Sequence, residues 1–279
     1  MPELPEVETV RAGAEPHLVG RRVAEIEFAR ADLRWPIPID ELGRLRGRTC
    51  TAVARRSKYL LLCFDGPERP IAVVHLGMSG RLAVDLHARR AAPPPWKKHE
   101  HWRMRFQDRL VRYVDPRRFG ALGFATAAGL AAHPWLAPLG QEPLEPGFDG
   151  AFLHRISRKK KCSVKSLLMD ARLVVGVGNI YASESCWLAR VRPRRAAGSL
   201  RVADCDALAA AVQHVLRAAI ASGGTSFRDF VGVDEGAGYF ARELQVYERS
   251  GETCRRCGAT IRRTVDVGRS TYWCAGCQR

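Results

Sequence analysis

The sequence lacks any long apolar run, and this absence excludes an integral membrane protein. No hydrophobic stretch in the 279 residues reaches the roughly 18 residues that a transmembrane helix needs. The first residues also lack the pattern of a secretory signal peptide. Internal repeats and low-complexity segments are missing as well, which argues against a repeat architecture. We therefore expect a soluble protein of the cytoplasm.

Acidic residues are scarce relative to basic ones. The chain has 29 Asp and Glu against 45 Lys and Arg, so its net charge is +16 and its isoelectric point is near 10. Such a balance indicates a polyanionic partner, with an anionic membrane surface as the alternative. Hydrophobic residues make up 46% of the chain, which excludes wholesale disorder and allows one large domain or two ordinary ones.

Nine cysteines fall into two groups. Five are scattered singly, mostly among apolar neighbours, and we interpret them as buried or partly buried free thiols: Cys50, Cys63, Cys162, Cys186 and Cys205. The other four form two Cys-x-x-Cys pairs separated by sixteen residues: Cys254, Cys257, Cys274 and Cys277. This spacing is typical of a structural zinc site, in which four cysteines leave no position open for water. Two disulfides are the alternative, but a cytoplasmic location argues against them.

The sixteen residues between the cysteine pairs predict a β-hairpin. Strand-forming residues alternate with glycine turns, and Arg269 falls near the expected tip. An arginine there could reach a phosphate, although a single exposed arginine is more often only solvated.

The first nine residues carry the most specific chemical signal. If the initiator methionine is removed, Pro2 becomes the N-terminus and its secondary amine has a pKa of about 7.7–8.0. An unprotonated amine can form a Schiff base, and the adjacent Glu3 could donate or accept a proton. The alternative is a simple helix start, because proline and acidic residues both favour that position. The two interpretations are compatible, since a helix dipole lowers the pKa of an amine at its N-terminus.

The pattern of turns and apolar residues predicts an α+β protein. Residues 22 to about 125 favour an antiparallel β-sandwich of many short strands, for example at 22–29, 49–55, 59–64, 71–76, 103–106 and 110–114. Helices are predicted before this region and again at 152–157, 164–170, 182–187 and 204–222. We predict a catalytic β-sandwich domain over 2–133, a Pro- and Gly-rich linker over 134–150, a helical domain over 151–240 and a zinc finger over 241–279.

Four internal segments are candidates for function. Lys58 stands at a strand entrance, where a solvated charge is the ordinary interpretation. HLGMSG (75–80) presents a methionine between glycines, where a core methionine is the ordinary interpretation. DPRRFG (115–120) places two arginines and a phenylalanine on a turn that could bind phosphate, stack on bases or insert between them. Lysines at 159–161 and 165 lie close to a glycine-rich turn before Asn179, which we predict as the N-cap of a helix.

Together these motifs resemble one family. PELPEVET (2–9), HLGMSG, DPRRFG, LVVGVGNIYASE (173–184) and the terminal Cys-x-x-Cys pairs occur in the order found in bacterial formamidopyrimidine-DNA glycosylases. The resemblance runs from Pro2 to Gln278, and PELPEVET favours this branch over the related endonuclease VIII branch. It implies a β-sandwich with an N-terminal helix, a helix–two-turn–helix domain and a β-hairpin zinc finger. It also implies one structural zinc and no redox or nucleotide cofactor.

The resemblance further implies a bifunctional enzyme of base-excision repair. It would remove 8-oxoguanine and formamidopyrimidines from damaged double-stranded DNA and cut the strand by β,δ-elimination. Pro2 would be the nucleophile at C1′, Glu3 the general acid or base, Lys58 a proton donor, and Arg269 a phosphate ligand that assists δ-elimination.

Other residues are implied as DNA contacts. Met78, Arg117 and Phe119 would fill the gap left by the flipped nucleotide. The phosphate contacts would be His99, Lys160, Lys165 and Asn179. The segment 223–240 would cover the flipped base, with Arg228 where related sequences often carry lysine, a change that keeps the charge but not its geometry.

Two other functions remain open from the sequence. One is a glycosylase/lyase of the same architecture that acts on oxidised pyrimidines or abasic sites. The other is a zinc protein that binds damaged DNA without catalysis. In each case we expect a monomer in the bacterial cytoplasm, associated with the nucleoid through DNA binding and not with a membrane.

Overall fold

The computed structural model describes residues 2–85, 94–224 and 243–279. These residues form two compact units that divide between Ala137 and Pro138, and Gly223 and Gly224 group with the first unit. The predicted domain boundaries stay predictions. Arg228 and most of the segment predicted to cover the flipped base lie outside the described residues.

The first unit contains two antiparallel sheets and the N-terminal helix. Helix α1 covers Leu4–Leu18, and a short helix α2 covers Ile39–Gly43. The strands are β1 Val23–Phe28, β2 Cys50–Arg56, β3 Tyr59–Phe64, β4 Pro70–His75, β5 Arg81–Asp85, β6 Glu100–Phe106, β7 Leu110–Val114 and β8 Ala121–Thr126. One sheet has the order β1-β6-β7-β5 and the other β2-β3-β4-β8.

Alternating apolar residues explain why the two sheets share one core. Leu60, Leu62 and Phe64 on β3 all point to the same face and are buried. Helix α1 covers this core with Val7, Val10, Ala14 and Leu18, which recur at helical spacing. Each large buried side chain contributes about 1.5–3 kcal/mol relative to exposure. The core therefore fixes the position of the N-terminal helix against both sheets.

The second unit is helical. Its helices are α3 Gly150–Ser157, α4 Val164–Met169, α5 Asn179–Leu188 and α6 Val202–Ala221. Two of them begin at ordinary side-chain caps: Asp149 accepts from the Phe152 N–H at 2.7 Å, and Ser163 accepts from the Ser166 N–H at 3.1 Å. Helix α6 packs against α3 and α5.

A double turn connects α4 to α5. Part of the segment predicted as a linker pairs with this turn, since Gly140 N–H donates to Ala171 O at 2.9 Å and Gln141 N–H donates to Leu173 O at 3.0 Å. The prediction that Asn179 caps α5 was wrong. Gly178 is the N-cap, with extended backbone, and Asn179 is the first helical residue.

The chain ends in a β-hairpin. Strands β9 Ile261–Asp266 and β10 Arg269–Cys274 are antiparallel, with Arg269 opposite Asp266. The two turn residues Val267 and Gly268 both have positive φ, as a type I′ hairpin turn requires. The predicted α+β fold is thus confirmed. Within the three described stretches, no helix combines the length and the hydropathy needed to span a bilayer.

Candidate active site

The N-terminal segment places two buried groups next to each other. Pro2 is buried immediately before Glu3, the N-cap of α1, and only 3% of the Glu3 surface is exposed. Glu6 closes the first turn by accepting from the Glu3 backbone N–H at 2.8 Å in a capping box. Gly224 lies against this turn, because a Cβ at Gly224 would be 3.2 Å from Glu6 Cγ. The first helical turn therefore holds the backbone of Pro2 and Glu3 in one place.

An ion-pair network holds the Lys58 turn close to the same helix. Ser57 and Lys58 form the two-residue turn between β2 and β3. Arg55 donates to Ser57 O at 3.1 Å and to the Glu8 carboxylate on α1 at 2.8 Å. Burial opposes ionisation of Glu8, but hydrogen bonds from Arg11 and Arg55 outweigh it and lower the pKa of this carboxyl. Glu8 thereby fixes the turn that carries Lys58 to the N-terminal helix.

His75 ends β4, the strand that pairs with β3 next to this turn. It pairs with Tyr59, the residue that follows Lys58. Burial, together with the positive charges of Lys58 and Arg34, lowers the pKa of His75 to about 4. The imidazole is therefore neutral at pH 7, and its Nδ1 accepts from the Gly77 N–H at 3.1 Å. This assigns the proton to Nε2, which can donate to a ligand. The sequence named the HLGMSG motif that His75 opens but not the histidine itself.

The two turn motifs of the first unit lie against each other. Gly77 has φ +70°, and a Cβ there would be 2.4 Å from the Gly120 nitrogen, so only glycine fits. Asp115 is fully buried at their junction and accepts from Ser79 Oγ at 2.7 Å and from Gly120 N–H at 2.9 Å. The aspartate of DPRRFG thus joins both turns into one rigid surface.

The side chains predicted to fill the DNA stack project from these turns. Phe119 is 44% exposed although it is a large apolar residue, and the Arg117 guanidinium lies 4.8 Å from its ring centre. Met78 is half-buried on the neighbouring turn. His99 is exposed with φ +65°, and its carbonyl accepts from the Asp115 N–H at 2.9 Å. Asp115 therefore connects His99 to the same surface.

The predicted phosphate contacts of the second unit differ in exposure. Lys160 is exposed, and its backbone is fixed by hydrogen bonds with Ser157 and Gly198. Lys165 on α4 is only 2% exposed, and its Nζ donates to Ser270 O at 2.9 Å and to Thr271 Oγ1 at 2.8 Å. Lys165 thus ties α4 to β10, and its assignment as a phosphate contact stays a prediction.

A buried glutamate positions a group that sequence reasoning missed. Glu184 on α5 accepts backbone N–H bonds from Gln245, Val246 and Tyr247 at 2.9, 3.0 and 2.8 Å. Burial raises the pKa of Glu184 despite these three donors. The Tyr247 hydroxyl consequently lies 3.4 Å from Asn179 Nδ2 at the start of α5. An acidic residue inside the apolar stretch IYASESCWL was the available signal.

The four clustered cysteines have the geometry of a zinc site. Their sulfur atoms all lie within 4.8 Å of one another, with Cys254 and Cys277 at 3.8 Å and Cys257 and Cys274 at 3.4 Å. Zinc–sulfur bonds of about 2.3 Å in a tetrahedron would place sulfurs roughly 3.8 Å apart. Gly276 leaves the needed room, since a Cβ there would be 3.0 Å from Cys257 Sγ. The residues fit one structural zinc ion.

The four cysteines differ in how readily they ionise. Burial disfavours the Cys254 thiolate, but hydrogen bonds led by the Arg256 backbone N–H lower its pKa to about 6. Burial and the neighbouring sulfurs instead raise the pKa of Cys277 to about 12. A zinc ion binds cysteines as thiolates, so its binding releases their protons.

Arg269 stands at the free end of the zinc hairpin, as the sequence predicted. It is exposed, and no carboxylate among the described residues lies within ion-pair distance of it. It lines a cavity of about 170 Å³ with Lys165, Ser166 and Asp266. The Arg269 guanidinium is therefore exposed beside this cavity.

Three family descriptions match successive parts of the chain. Residues 1–122 match the formamidopyrimidine-DNA glycosylase N-terminal domain, and residues 139–231 match the H2TH domain of the same enzymes. Residues 251–279 match a zinc finger found in FPG and IleRS.

Curated relatives and solved structures match over the full length. Formamidopyrimidine-DNA glycosylases of Alkalilimnicola ehrlichii and Paraburkholderia phytofirmans are 49% and 47% identical, each covering 100% of both chains. A complex of Lactococcus lactis Fpg with N7-benzyl-Fapy-dG DNA has a TM-score of 0.89 at 32% identity, with 100% of both chains covered. The same protein bound to abasic-site DNA gives 0.88 at 32% identity and 99% coverage of each chain. The chain therefore belongs to the formamidopyrimidine-DNA glycosylase family and is a zinc-containing, DNA-binding glycosylase/AP lyase of base-excision repair.

Proposed function

We propose that the enzyme excises oxidised purines, chiefly 8-oxoguanine and formamidopyrimidines, and then cleaves the strand by β,δ-elimination. The Pro2 amine attacks C1′ of the damaged nucleotide, and the base departs with the electrons of the glycosidic bond and takes up a proton. Opening of the sugar gives a Schiff base, which makes the C2′ proton acidic. Loss of that proton expels the 3′ phosphate, and a second elimination expels the 5′ phosphate.

The observation that carries this proposal is the burial of Pro2 and Glu3 at the start of α1. An amine in this position experiences both desolvation and the positive end of a helix dipole, and both favour its neutral, nucleophilic form. Glu3 is the adjacent carboxyl and moves protons at the sugar. Glu6 is already engaged by the Glu3 backbone, so it positions the segment and does not react.

Lys58 and His75 are proposed to act on the sugar–phosphate next to the reacting carbon. The Arg55–Glu8 network holds the Lys58 turn against α1, which supports a role for its ammonium as proton donor in β-elimination. His75 is neutral with its proton on Nε2, so it supplies a hydrogen bond without adding a further positive charge beside Lys58.

The exposed Phe119, Arg117 and Met78 are proposed to occupy the space left by the flipped nucleotide. Flipping costs a few kcal/mol of stacking and pairing energy, which a wedge of this kind offsets. The hydrogen bonds of Asp115 support this role, because side chains that insert between stacked bases need a backbone that stays in place. His99, Lys160, Lys165, Asn179 and Arg228 are proposed DNA contacts, and Arg269 is proposed to bind the phosphate that leaves in δ-elimination.

Oxidised pyrimidines are a second candidate substrate class. A structure of wild-type Lactococcus lactis Fpg with DNA that contains an oxidised pyrimidine matches this chain with a TM-score of 0.88 at 32% identity. Single-turnover excision from duplexes with 8-oxoguanine opposite cytosine and with thymine glycol opposite adenine separates the two. Faster excision of 8-oxoguanine is the expected result, whereas faster excision of thymine glycol would overturn the purine assignment.

We further propose a monomer that works on the nucleoid in the bacterial cytoplasm. One chain supplies the proposed amine, wedge and phosphate ligands, so a second copy adds no group to the reaction. Sedimentation of the free protein and of its complex with one duplex tests this stoichiometry, and a dimeric complex would contradict it.

A further inference from the structure

The tip of the zinc hairpin is tied to helix α4 by an acidic residue. Asp266 ends β9 directly opposite Arg269 in the strand register. Its carboxylate Oδ2 accepts from Ser163 Oγ at 2.5 Å, and Ser166 Oγ lies 3.4 Å from the same oxygen. Ser163 is the N-cap of α4, and Ser166 is in its first turn. We call these three residues, Asp266, Ser163 and Ser166, the tip clamp.

The hydrogen positions of the tip clamp follow from the chemistry of its groups. A serine hydroxyl has one hydrogen to donate, and a carboxylate is a stronger acceptor than a second hydroxyl. Ser163 therefore donates to Asp266 and uses its lone pairs to accept from the Ser166 N–H at 3.1 Å. The bond to Asp266 is charge-assisted, so it is stronger than a bond between neutral groups. The helix N-terminus adds to it, because its dipole favours a negative charge.

Arg269 lies next to this clamp in the hairpin. The four cysteines hold one end of the hairpin, and Lys165 holds β10 by donating to Ser270 O and Thr271 Oγ1, directly after Arg269. The last residue pair before the two-residue turn is Arg269 and Asp266. Asp266 and Arg269 also line one cavity of about 170 Å³, with the clamp forming part of its wall.

We propose that Asp266 is a positioning residue that fixes the direction in which Arg269 leaves the hairpin tip, and so sets the efficiency of δ-elimination. Asp266 itself does not touch DNA. A displacement of the order of 1 Å in a group that binds the leaving phosphate can cost about 10²-fold in rate. The inference rests on the proposed role of Arg269 as the phosphate ligand of that step.

Three variants isolate the clamp from the other duties of its residues. Asp266→Ala removes the acceptor. Ser163→Asp keeps a good helix cap but sets two carboxylates against each other, so it breaks only the clamp. The double variant Ser163→Asp with Asp266→Ser restores one hydroxyl–carboxylate bond with the partners exchanged. Glu252→Gln is the matched control, since it removes an exposed carboxylate from the same zinc module, by which we mean residues 243–279.

The measurement is the ratio of δ- to β-elimination products on a duplex with a preformed abasic site, alongside zinc content and Tm. We expect Asp266→Ala and Ser163→Asp to reduce the δ-product about 10-fold while β-elimination and zinc content stay unchanged, since only the group that binds the leaving phosphate is misplaced. The exchanged pair restores the ratio, and Glu252→Gln retains it. If either of the stronger variants fails to fold, Asp266→Asn replaces it. This substitution keeps the side-chain volume, and we expect a smaller loss of δ-product.

A wild-type product ratio in folded, zinc-replete Asp266→Ala would overturn the positioning role. So would a neutral Ser163→Asp, because Ser163 would then serve only as a cap. Arg269→Ala separates this failure from that of the proposed function. If Arg269→Ala also leaves the ratio unchanged, the phosphate role of Arg269 fails. If Arg269→Ala alone reduces the ratio, only the inference about Asp266 fails.

Discussion

The first unit and the zinc module hold their functional residues by different means. In the first unit, carboxylates do this: the buried Glu6 fixes the Pro2–Glu3 segment, the half-buried Glu8 fixes the Lys58 turn, and the buried Asp115 joins the HLGMSG and DPRRFG turns. In the zinc module, the hairpin that carries Arg269 is held by four cysteines, by the buried Lys165 and by the tip clamp.

The difference follows from the size of the two cores. The core of the first unit draws on two sheets and a helix, so it can bury charged groups with their partners. Among the described residues, the zinc module packs with Trp187 of α5 in a small cluster that includes Val246 and Ile261. A core of that size does not hold a hairpin by itself, and a metal ion supplies the missing stability. The residues proposed for proton transfer belong to the first unit, whereas the proposed phosphate ligand Arg269 belongs to the zinc hairpin.

Removal of zinc should produce the largest difference in stability between the two regions. Cys257→Ser takes away one ligand from a site whose metal contributes about 10–16 kcal/mol in isolated zinc fingers. We expect loss of zinc, unfolding of the hairpin and a large loss of DNA affinity, while the first unit keeps its thermal transition. Elemental analysis, calorimetry and DNA titration measure these effects. Cys162→Ser, at an exposed single cysteine, is the control, and a zinc-replete Cys257→Ser protein would contradict the metal assignment.

Loss of the Asp115 carboxylate should damage the first unit and leave zinc in place. Asp115→Ala strands the Gly120 N–H and the Ser79 hydroxyl in a buried junction, at a cost of about 3 kcal/mol in the free energy of unfolding. Denaturant unfolding measures this cost. Asp108→Asn is a suitable control, because Asp108 is an exposed partner of Arg109. A variant as stable as the control would show that the junction does not depend on Asp115.

Acid should weaken the first unit through His75. The pKa of His75 is about 4 in the folded protein, against a usual value of 6.5, because burial and the nearby cations disfavour its charged form. The unfolded chain therefore binds a proton first as the pH falls. Stability is complete above about pH 6.5 and decreases towards pH 4, by up to about 3 kcal/mol.

The free energy of unfolding of wild type and His75→Gln at several pH values tests this effect. The variant should show a flatter pH dependence between about pH 6.5 and 4. Parallel curves for the two proteins would mean that His75 is protonated as easily when folded as when unfolded.

The smallest expected effect concerns the exposed lysine of the second unit. Lys160→Gln should leave Tm unchanged and reduce the salt dependence of DNA binding by about 0.9 in log K against log salt, the value for one phosphate. Lys165→Gln should instead lower Tm, because that ammonium is buried against β10. Equal changes in Tm and in salt dependence for the two variants would show that the burial of Lys165 does not distinguish it from the exposed Lys160.

Local sequence patterns predicted much of the fold. Strands β3 and β7 begin and end where their apolar runs do, and the cysteine spacing predicted the hairpin and the location of Arg269. Each of these features depends on residues close together in the chain. Strands β5 and β8 were not among the strands named from the sequence; the five residues of β5 include two charged groups and show little alternation.

Features that depend on distant residues could not be predicted. Glu8 meets Arg55 and Glu184 meets Tyr247, pairs separated by 47 and 63 positions. The lysine-rich segment predicted phosphate contacts, but charge alone did not distinguish the exposed Lys160 from the buried Lys165. Burial of a charged group is set by the partner that the fold brings to it.

Borohydride trapping tests the central claim most directly. The protein is mixed with a duplex that carries 8-oxoguanine opposite cytosine, the Schiff base is reduced, and the adduct is digested and mapped by mass spectrometry. Our account predicts one covalent adduct on the peptide that begins at Pro2, through its amine nitrogen. An adduct on a lysine, or strand cleavage with no adduct by a protein whose Met1 has been removed, would contradict it.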